Sequence, residues 1–238
     1  MGDEDSDTVS DALPLAQKLN PNAIATVLRA HYSRVYRMAM ALCGREANGR
    51  KAVVTVMQQS LRTLPWWSNE AEAANWFLHH TVLVSRELAG LTPDASEDCL
   101  VLTLKTPPAE HIAFVKALRL LPQQQREAFL LFRGEHLDPR QAAVAMDCST
   151  GAAANHLIAA TKCLSEIAAN TFDARVAELV RVYATLTPTS DLVIGDVSRI
   201  ARQIRHRRFL KIFRQALLLA LLAAVAWTIW KLSKMIVL

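Results

Sequence analysis

Residues 117–167 read ALRLLPQQQREAFLLFRGEHLDPRQAAVAMDCSTGAAANHLIAATKCLSEI, and this stretch decides the fold. Pro122 precedes a helix over 123–133, which Gly134 breaks. Asp138-Pro139 pairs a capping side chain with a first-turn proline and opens PRQAAVAM. Ser149 caps a last long helix, roughly 150–169. Between Asp138 and Leu157 there is thus a short helix, a turn of three to four residues around Asp147-Cys148-Ser149, and a second helix. That is helix-turn-helix geometry, and small Ala142 and Ala143 let the two helices cross closely.

Working upstream, residues 110–121 form another helix before Pro122. Residues 90–108 (GLTPDASEDCLVLTLKTPP) hold three prolines and a net charge of −2, so a linker is expected over 92–108. Before it, Pro21 opens a helix through 23–43 that stops at Gly44, a second runs from Gly49 to Leu64 and ends at Pro65, and a third covers 70–89. Nowhere does period-two alternation persist; apolar residues recur instead at three and four spacing, and the whole chain has seven glycines. The fold class expected is all-α: two small helical domains, 21–91 and 109–170, preceded by an acidic disordered leader over 1–20. An amphipathic helix over 172–186 and a basic stretch fill 171–214.

Downstream, QALLLALLAAVAWTIW over 215–230 carries no charge and KLSKMIVL follows. Sixteen residues rise about 24 Å, and snorkelling Lys231 and Lys234 with upstream Phe209, Leu210, Ile212 and Phe213 bring the span close to a hydrocarbon core of ~30 Å. A transmembrane helix is expected over 215–235, with Trp227 and Trp230 at the far interface. The lysines and arginines of its N-terminal flank, among them Arg205, Arg207, Arg208, Lys211 and Arg214, place the bulk of the chain in the cytoplasm and suit anionic headgroups.

Charge confirms the partition. The chain of 238 residues carries +5, with a pI near 9.2 and a mean hydropathy of +0.15. Residues 1–11 hold five acids and no base, 199–214 hold seven bases and no acid, and 12–198 is at +1. The basicity therefore belongs to one collar. Within 109–170 six bases meet six acids, so backbone neutralisation alone would bind DNA weakly.

Cys43, Cys99, Cys148 and Cys163 show no CxxC and no zinc spacing, which fits buried thiols in a reducing compartment, and the acidic start is unlike a signal peptide. His79 and His80 are adjacent, hence about 100° apart on a helix, and cannot both serve one metal. Glu70, Glu72, Asp94, Glu97 and Asp98 read as caps and solvated loop carboxylates. With no phosphate loop, nucleophile elbow or zinc motif, neither an enzyme, a cofactor nor a small-molecule substrate is expected.

The run 117–167 resembles region 4 of bacterial sigma-70 factors of the extracytoplasmic-function type. The likeness rests on Leu121-Pro122 ahead of a glutamine- and arginine-bearing helix, Leu137-Asp138-Pro139-Arg140-Gln141-Ala142-Ala143, the Ser149-Thr150-Gly151 cap and Asn155-His156-Leu157. Residues 27–88 resemble region 2 through Ala30-His31-Tyr32-Ser33-Arg34-Val35-Tyr36, Leu64-Pro65-Trp66 and Trp76-Phe77-Leu78. The resemblance implies that the first domain binds core RNA polymerase and melts the −10 promoter element, while the second domain's recognition helix reads the −35 element. It implies DNA contacts at Arg140, Ser149, Thr150, Asn155, His156 and Lys162, and polymerase contacts at Arg50, Lys51, Val54, Met57 and Gln58. Where region 2 members show an acid-rich turn and a Gln-Glu pair, this chain has Gly49-Arg50-Lys51 and Val54-Thr55, which reverses the charge offered to the partner. Alanines 152–154 stand where lysine or arginine is common. The expected function is a membrane-tethered sigma-like regulator of transcription initiation at the bacterial inner membrane. The alternative is a membrane-anchored adaptor or sequestering protein that keeps the fold without promoter recognition.

Overall fold

Asn20 begins the first long helix. Its side chain accepts hydrogen bonds from the backbone N–H groups of Asn22 and Ala23, at 3.0 and 3.3 Å, and Pro21 occupies the first turn, where its missing N–H costs nothing. The computed structural model describes residues 3–89, 97–203 and Leu222. Among these the helices are α1 (Asp3–Gln17), α2 (Pro21–Cys43), α3 (Glu46–Thr63), α4 (Glu70–Leu88), α5 (Cys99–Leu102), α6 (Ala109–Leu120), α7 (Gln123–Phe129), α8 (Pro139–Met146), α9 (Thr150–Ala168) and α10 (Phe172–Thr185). A further helix, α11, runs over 190–203. No strand occurs among the described residues.

Helix α2 is the axis of the first half. It is buried along most of its length, and α1, α3 and α4 pack around it. The leader expected to be disordered over 1–20 is instead largely helical. Val9, Leu13 and Ala16 fall at i, i+4 and i+7, form one apolar stripe and are buried in the core made by α2, α3 and α4. Gln17 fastens the end of α1 by donating from Nε2 to the carbonyl of Trp67, at 2.6 Å.

Of the linker expected over 92–108, the residues from 97 on are described, and part of them packs into the body. Within that stretch Asp98 caps the one-turn helix α5, and Cys99, Leu100 and Val101 are buried. They join a single apolar cluster that unites Met38, Met40, Leu42, Leu78 and Val82 of the first half with Phe114, Leu118, Phe129 and Met146 of the second. An apolar Cys-Leu-Val triplet beside prolines is too costly to leave in water, and one helical turn suffices to bury it.

Helix α2 ends at Gly44, whose φ of 74° is a conformation that L side chains rarely adopt. The turn lets the Gly44 carbonyl accept from the N–H of Cys99 at 2.7 Å, and a Cβ there would stand 3.0 Å from a carboxylate oxygen of Asp98.

The amphipathic and basic stretch 171–214 packs on the body as far as residue 203, where its described part ends. Leu179, Val182 and Tyr183 of α10 enter the shared cluster, and Val197 and Ile200 of α11 enter the first half's own core. Among the described residues no helix is long and apolar enough to cross a membrane; the transmembrane helix expected over 215–235, with Trp227 and Trp230, and the collar of Arg205, Arg207, Arg208, Lys211 and Arg214 lie outside the described residues, Leu222 apart.

Candidate nucleic-acid interface

Helix α8 starts in a reciprocal cap. Asp138 Oδ1 accepts from the backbone N–H groups of Arg140 and Gln141, at 2.8 and 2.9 Å, while the Asp138 N–H donates to Gln141 Oε1 at 3.2 Å. It ends at Asp147 in the left-handed region (φ 56°, ψ 51°), which a short polar side chain tolerates. The N–H groups of Asp147 and Cys148 return to the carbonyls of Val144 and Ala143. Ser149 Oγ then accepts from the N–H of Ala152 at 3.1 Å and starts α9. Ala142, Ala143, Ala145 and Ala153 are buried where α8 and α9 cross, so small side chains set the close approach.

Of the expected DNA contacts, Arg140, Ser149, Thr150, Asn155 and Lys162 are exposed and His156 is half-buried. Arg140, Ser149 and Thr150 gather at the turn and the first residues of α9; farther along the same helix, Asn155 and Lys162 are seven residues apart, near two turns. An exposed asparagine there can pair with the N6 and N7 edge of adenine; Arg140 can meet a phosphate. Val144 and Ile158 are also exposed, 49% and 65%, giving the face two apolar patches able to meet a thymine methyl.

The turn opens on a cleft of about 950 Å³ whose other wall is α4. Arg140, Ser149 and Thr150 line one side and Asn75, Trp76 and His79 the other. The indole of Trp76 is stacked on His80 at 3.8 Å between ring centroids, and the carbonyl of Trp76 accepts from His80 Nδ1 at 3.1 Å; burial lowers the His80 pKa. No group of three or more His, Cys, Asp or Glu side chains among the described residues is placed to hold a metal.

The expected polymerase contacts divide. Met57 is fully buried in the first half's core, which removes it from any surface: its position on α3 faces α2 and α4, and a methionine there fills the core. Val54 is half-buried, and Lys51 and Gln58 are exposed. Arg50 faces α11, with its guanidinium 3.5 Å from Asp196. Gly49 is a matter of contact between helices, since a Cβ there would meet Met40 Sδ at 2.5 Å where α2 and α3 cross.

What the residues alone did not reveal is a seam of buried charge between the halves. Arg86 of α4 forks onto both oxygens of Glu127, at 2.8 to 3.1 Å, and donates to the carbonyl of Met146. Arg34 and Arg37 of α2 donate to Glu135, at 2.8 and 3.1 Å, and Tyr183 of α10 adds its hydroxyl at 2.8 Å. Arg119 of α6 donates to both oxygens of Asp98, and its third nitrogen reaches the carbonyl of Leu42. Both partners of that last pair are within a few per cent of complete burial.

The electrostatics follow. Burial and then Glu135 push the Tyr183 hydroxyl well up; the hydrogen bonds to Glu127 hold the Arg86 guanidinium up; burial and then neighbouring Arg119 pull Arg126 down. Phase carried a clue: Arg119 lies four residues after Val115, so a residue of the wrong polarity occupies a core position of α6. Asp98, expected among the caps and solvated loop carboxylates, does cap α5 but is buried rather than solvated, and it is the partner of Arg119.

Residues 111–164, α6 through most of α9, match the family model for Sigma-70, region 4. No curated protein matches the chain, and no solved structure does. Helix-turn-helix geometry, caps and match coincide on the same residues, so this part of the chain is similar to sigma-70 region 4.

Proposed function

We propose that this protein is a membrane-tethered, sigma-factor-like regulator of transcription initiation at the bacterial inner membrane, binding core RNA polymerase through its first half and promoter DNA through α9. The observation that carries the proposal is the doubly capped helix-turn-helix, with Arg140, Thr150, Asn155 and Lys162 exposed at the turn and along its second helix, inside the segment that matches region 4. Polymerase supplies what the domain lacks in charge, because docking concentrates a neutral domain at DNA. Lys51, Val54 and Gln58, with Arg50 once freed, form the polymerase-facing surface of α3. The uncharged run over 215–230 and the collar before it support single-pass anchoring with the body in the cytoplasm.

In this reading the described arrangement must open before a promoter is engaged. Elements at −10 and −35 lie about 25 base pairs apart, roughly 85 Å at 3.4 Å per pair, whereas α4 and the start of α9 line one cleft. The seam of Arg86–Glu127 and Arg34/Arg37–Glu135 is what opening would break.

The test is detergent extraction of the full-length chain from membranes, followed by purification. Core polymerase subunits should come with it, and the complex should retard promoter DNA at low salt. A chain found in the soluble fraction only, or one that brings neither polymerase nor DNA, defeats the proposal. The second reading, an adaptor at the membrane, is favoured by arginines turned inward to the seam and a recognition helix with one base. Lys51→Glu separates the two: it strengthens polymerase capture if α3 is a docking surface with altered charge, and leaves capture unchanged for an adaptor.

A further inference from the structure

Helix α11 lies against the helix that the proposed function assigns to polymerase. Asp196, itself buried, accepts from the Tyr32 hydroxyl at 2.6 Å and faces Arg50 at 3.5 Å. One and four residues on, Val197 and Ile200 are 0% and 1% exposed and pack into the cluster that holds Val53, Val56 and Met57 of α3. At its far end Gln203 shares a pocket with Thr55, Gln58 and Arg62. Helix α11 therefore touches α3 at both ends of the stripe Arg50, Val54 and Gln58, spaced i, i+4 and i+8.

The hold on α3 is narrow. Asp191, Ile194, Arg199 and Arg202 are exposed, so one carboxylate and a few apolar side chains carry the contact. Gly195 sits in mid-helix with nothing within 4 Å of where a Cβ would stand, so no packing demands it, and it weakens the helix that contains it. Residues 186–189 at its N-terminal side join it to α10 without helix, and the basic collar of 199–214 begins within it, at Arg199.

From these observations we infer that α11 is an intramolecular occupant of a protein-docking groove on α2 and α3, and that the α3 face becomes available to a partner when α11 leaves. The inference rests on the polymerase reading for the partner's identity, and on the contacts of Asp196, Val197 and Ile200 for the groove itself. The groove's chemistry specifies its ligand: an amphipathic helix with a carboxylate for Arg50 and Tyr32, followed by apolar residues one and four positions later. A polymerase surface offering that pattern would compete with α11 directly.

The experiment uses full-length protein. Asp196→Lys with Ile200→Asp should detach α11 by opposing Arg50 and wetting the groove; Gly195→Ala should hold it more firmly. Hydrogen exchange over 50–62 should rise at least tenfold in the first variant and fall in the second. A synthetic peptide of residues 190–203 should bind the first variant and fail to bind the wild type. Capture of purified core polymerase should rise about tenfold in the first variant and fall in Gly195→Ala. If the peptide does not bind the detached variant, or exchange over 50–62 stays at the wild-type rate, the inference is overturned. If the peptide binds but polymerase is captured by no variant, the occupied groove stands and the polymerase reading falls. If the first variant does not fold, slower exchange in Gly195→Ala with weaker capture still supports the inference, and unchanged exchange and capture overturn it.

Discussion

The recognition face of α9 and the seam between the halves use charge in opposite ways. Along α9 the only base is Lys162, and it stands exposed beside Asn155 and Ile158. In the seam, Arg34, Arg37, Arg86 and Arg119 meet Glu135, Glu127 and Asp98, and all three carboxylates are within a few per cent of full burial. Five guanidinium donors in a rigid fork suit arginine to fix one helix against another at a set angle, which a lysine does poorly. The difference teaches that the seam arginines serve the body's own architecture, while the proposed contact of α9 with DNA would rely on shape, a few polar groups and local concentration. Net charge would misjudge both regions, since it adds arginines that no phosphate can reach.

Removing the deepest seam contact has the largest expected effect. Arg119→Ala leaves Asp98 charged, buried and unpaired, at a cost of about 3–5 kcal/mol. Urea denaturation measures it, and a loss under ~1 kcal/mol would place the fold's strength elsewhere. Next is a pH effect beneath the seam. His31 is stacked on Phe77 at 4.6 Å between ring centroids, and burial, with nearby Arg34, lowers its pKa from 6.5 to about 4. The unfolded chain then binds the proton first as pH falls, so this contribution is complete above about pH 6.5 and is lost by pH 4. It amounts to about 3 kcal/mol. Thermal melts between pH 7 and 4 should show the decline, and His31→Phe should flatten it.

On the other side of the comparison, Ala152→Lys with Ala154→Lys gives α9 the cations it lacks. Each new phosphate contact steepens the log affinity against log salt by about 0.9, so the pair should add nearly 2 to the slope. A salt titration of DNA retardation that shows no change would mean that α9 does not lie on DNA. The smallest effect belongs to an ion pair outside the seam: Arg45 and Glu97 are 3.4 Å apart but at least half exposed. Arg45→Ala should cost about 0.5 kcal/mol or less.

Helices were legible in the sequence wherever a cap named the boundary. Pro21, Gly44, Asp138-Pro139 and Ser149 each mark an observed end, and the alanines of α8 announced the close crossing with α9. Helix α1 was hidden because five acids in eleven residues outweigh a stripe of three small or medium apolar residues. Met57 was assigned to the surface from its neighbours' likeness rather than from its phase, and phase puts it with Val53 in the core. The seam stayed invisible for a different reason. A charged residue at a core phase says that a partner exists without saying where, and Glu135 lies 98 residues from Arg37 and 101 from Arg34.

One buried node has a kinetic meaning. At Gly44, Asp98 and Arg119, three segments separated in sequence converge: the Gly44 carbonyl holds Cys99, and Arg119 holds both Asp98, 21 residues away, and the Leu42 carbonyl, 77 residues away. The bonds to the Gly44 and Leu42 carbonyls cannot form until the helices on both sides are in place, so they should contribute late to folding and be lost early on opening. The two halves are thereby coupled into one cooperative unit, and the body should melt in a single transition despite a likeness to two separable modules.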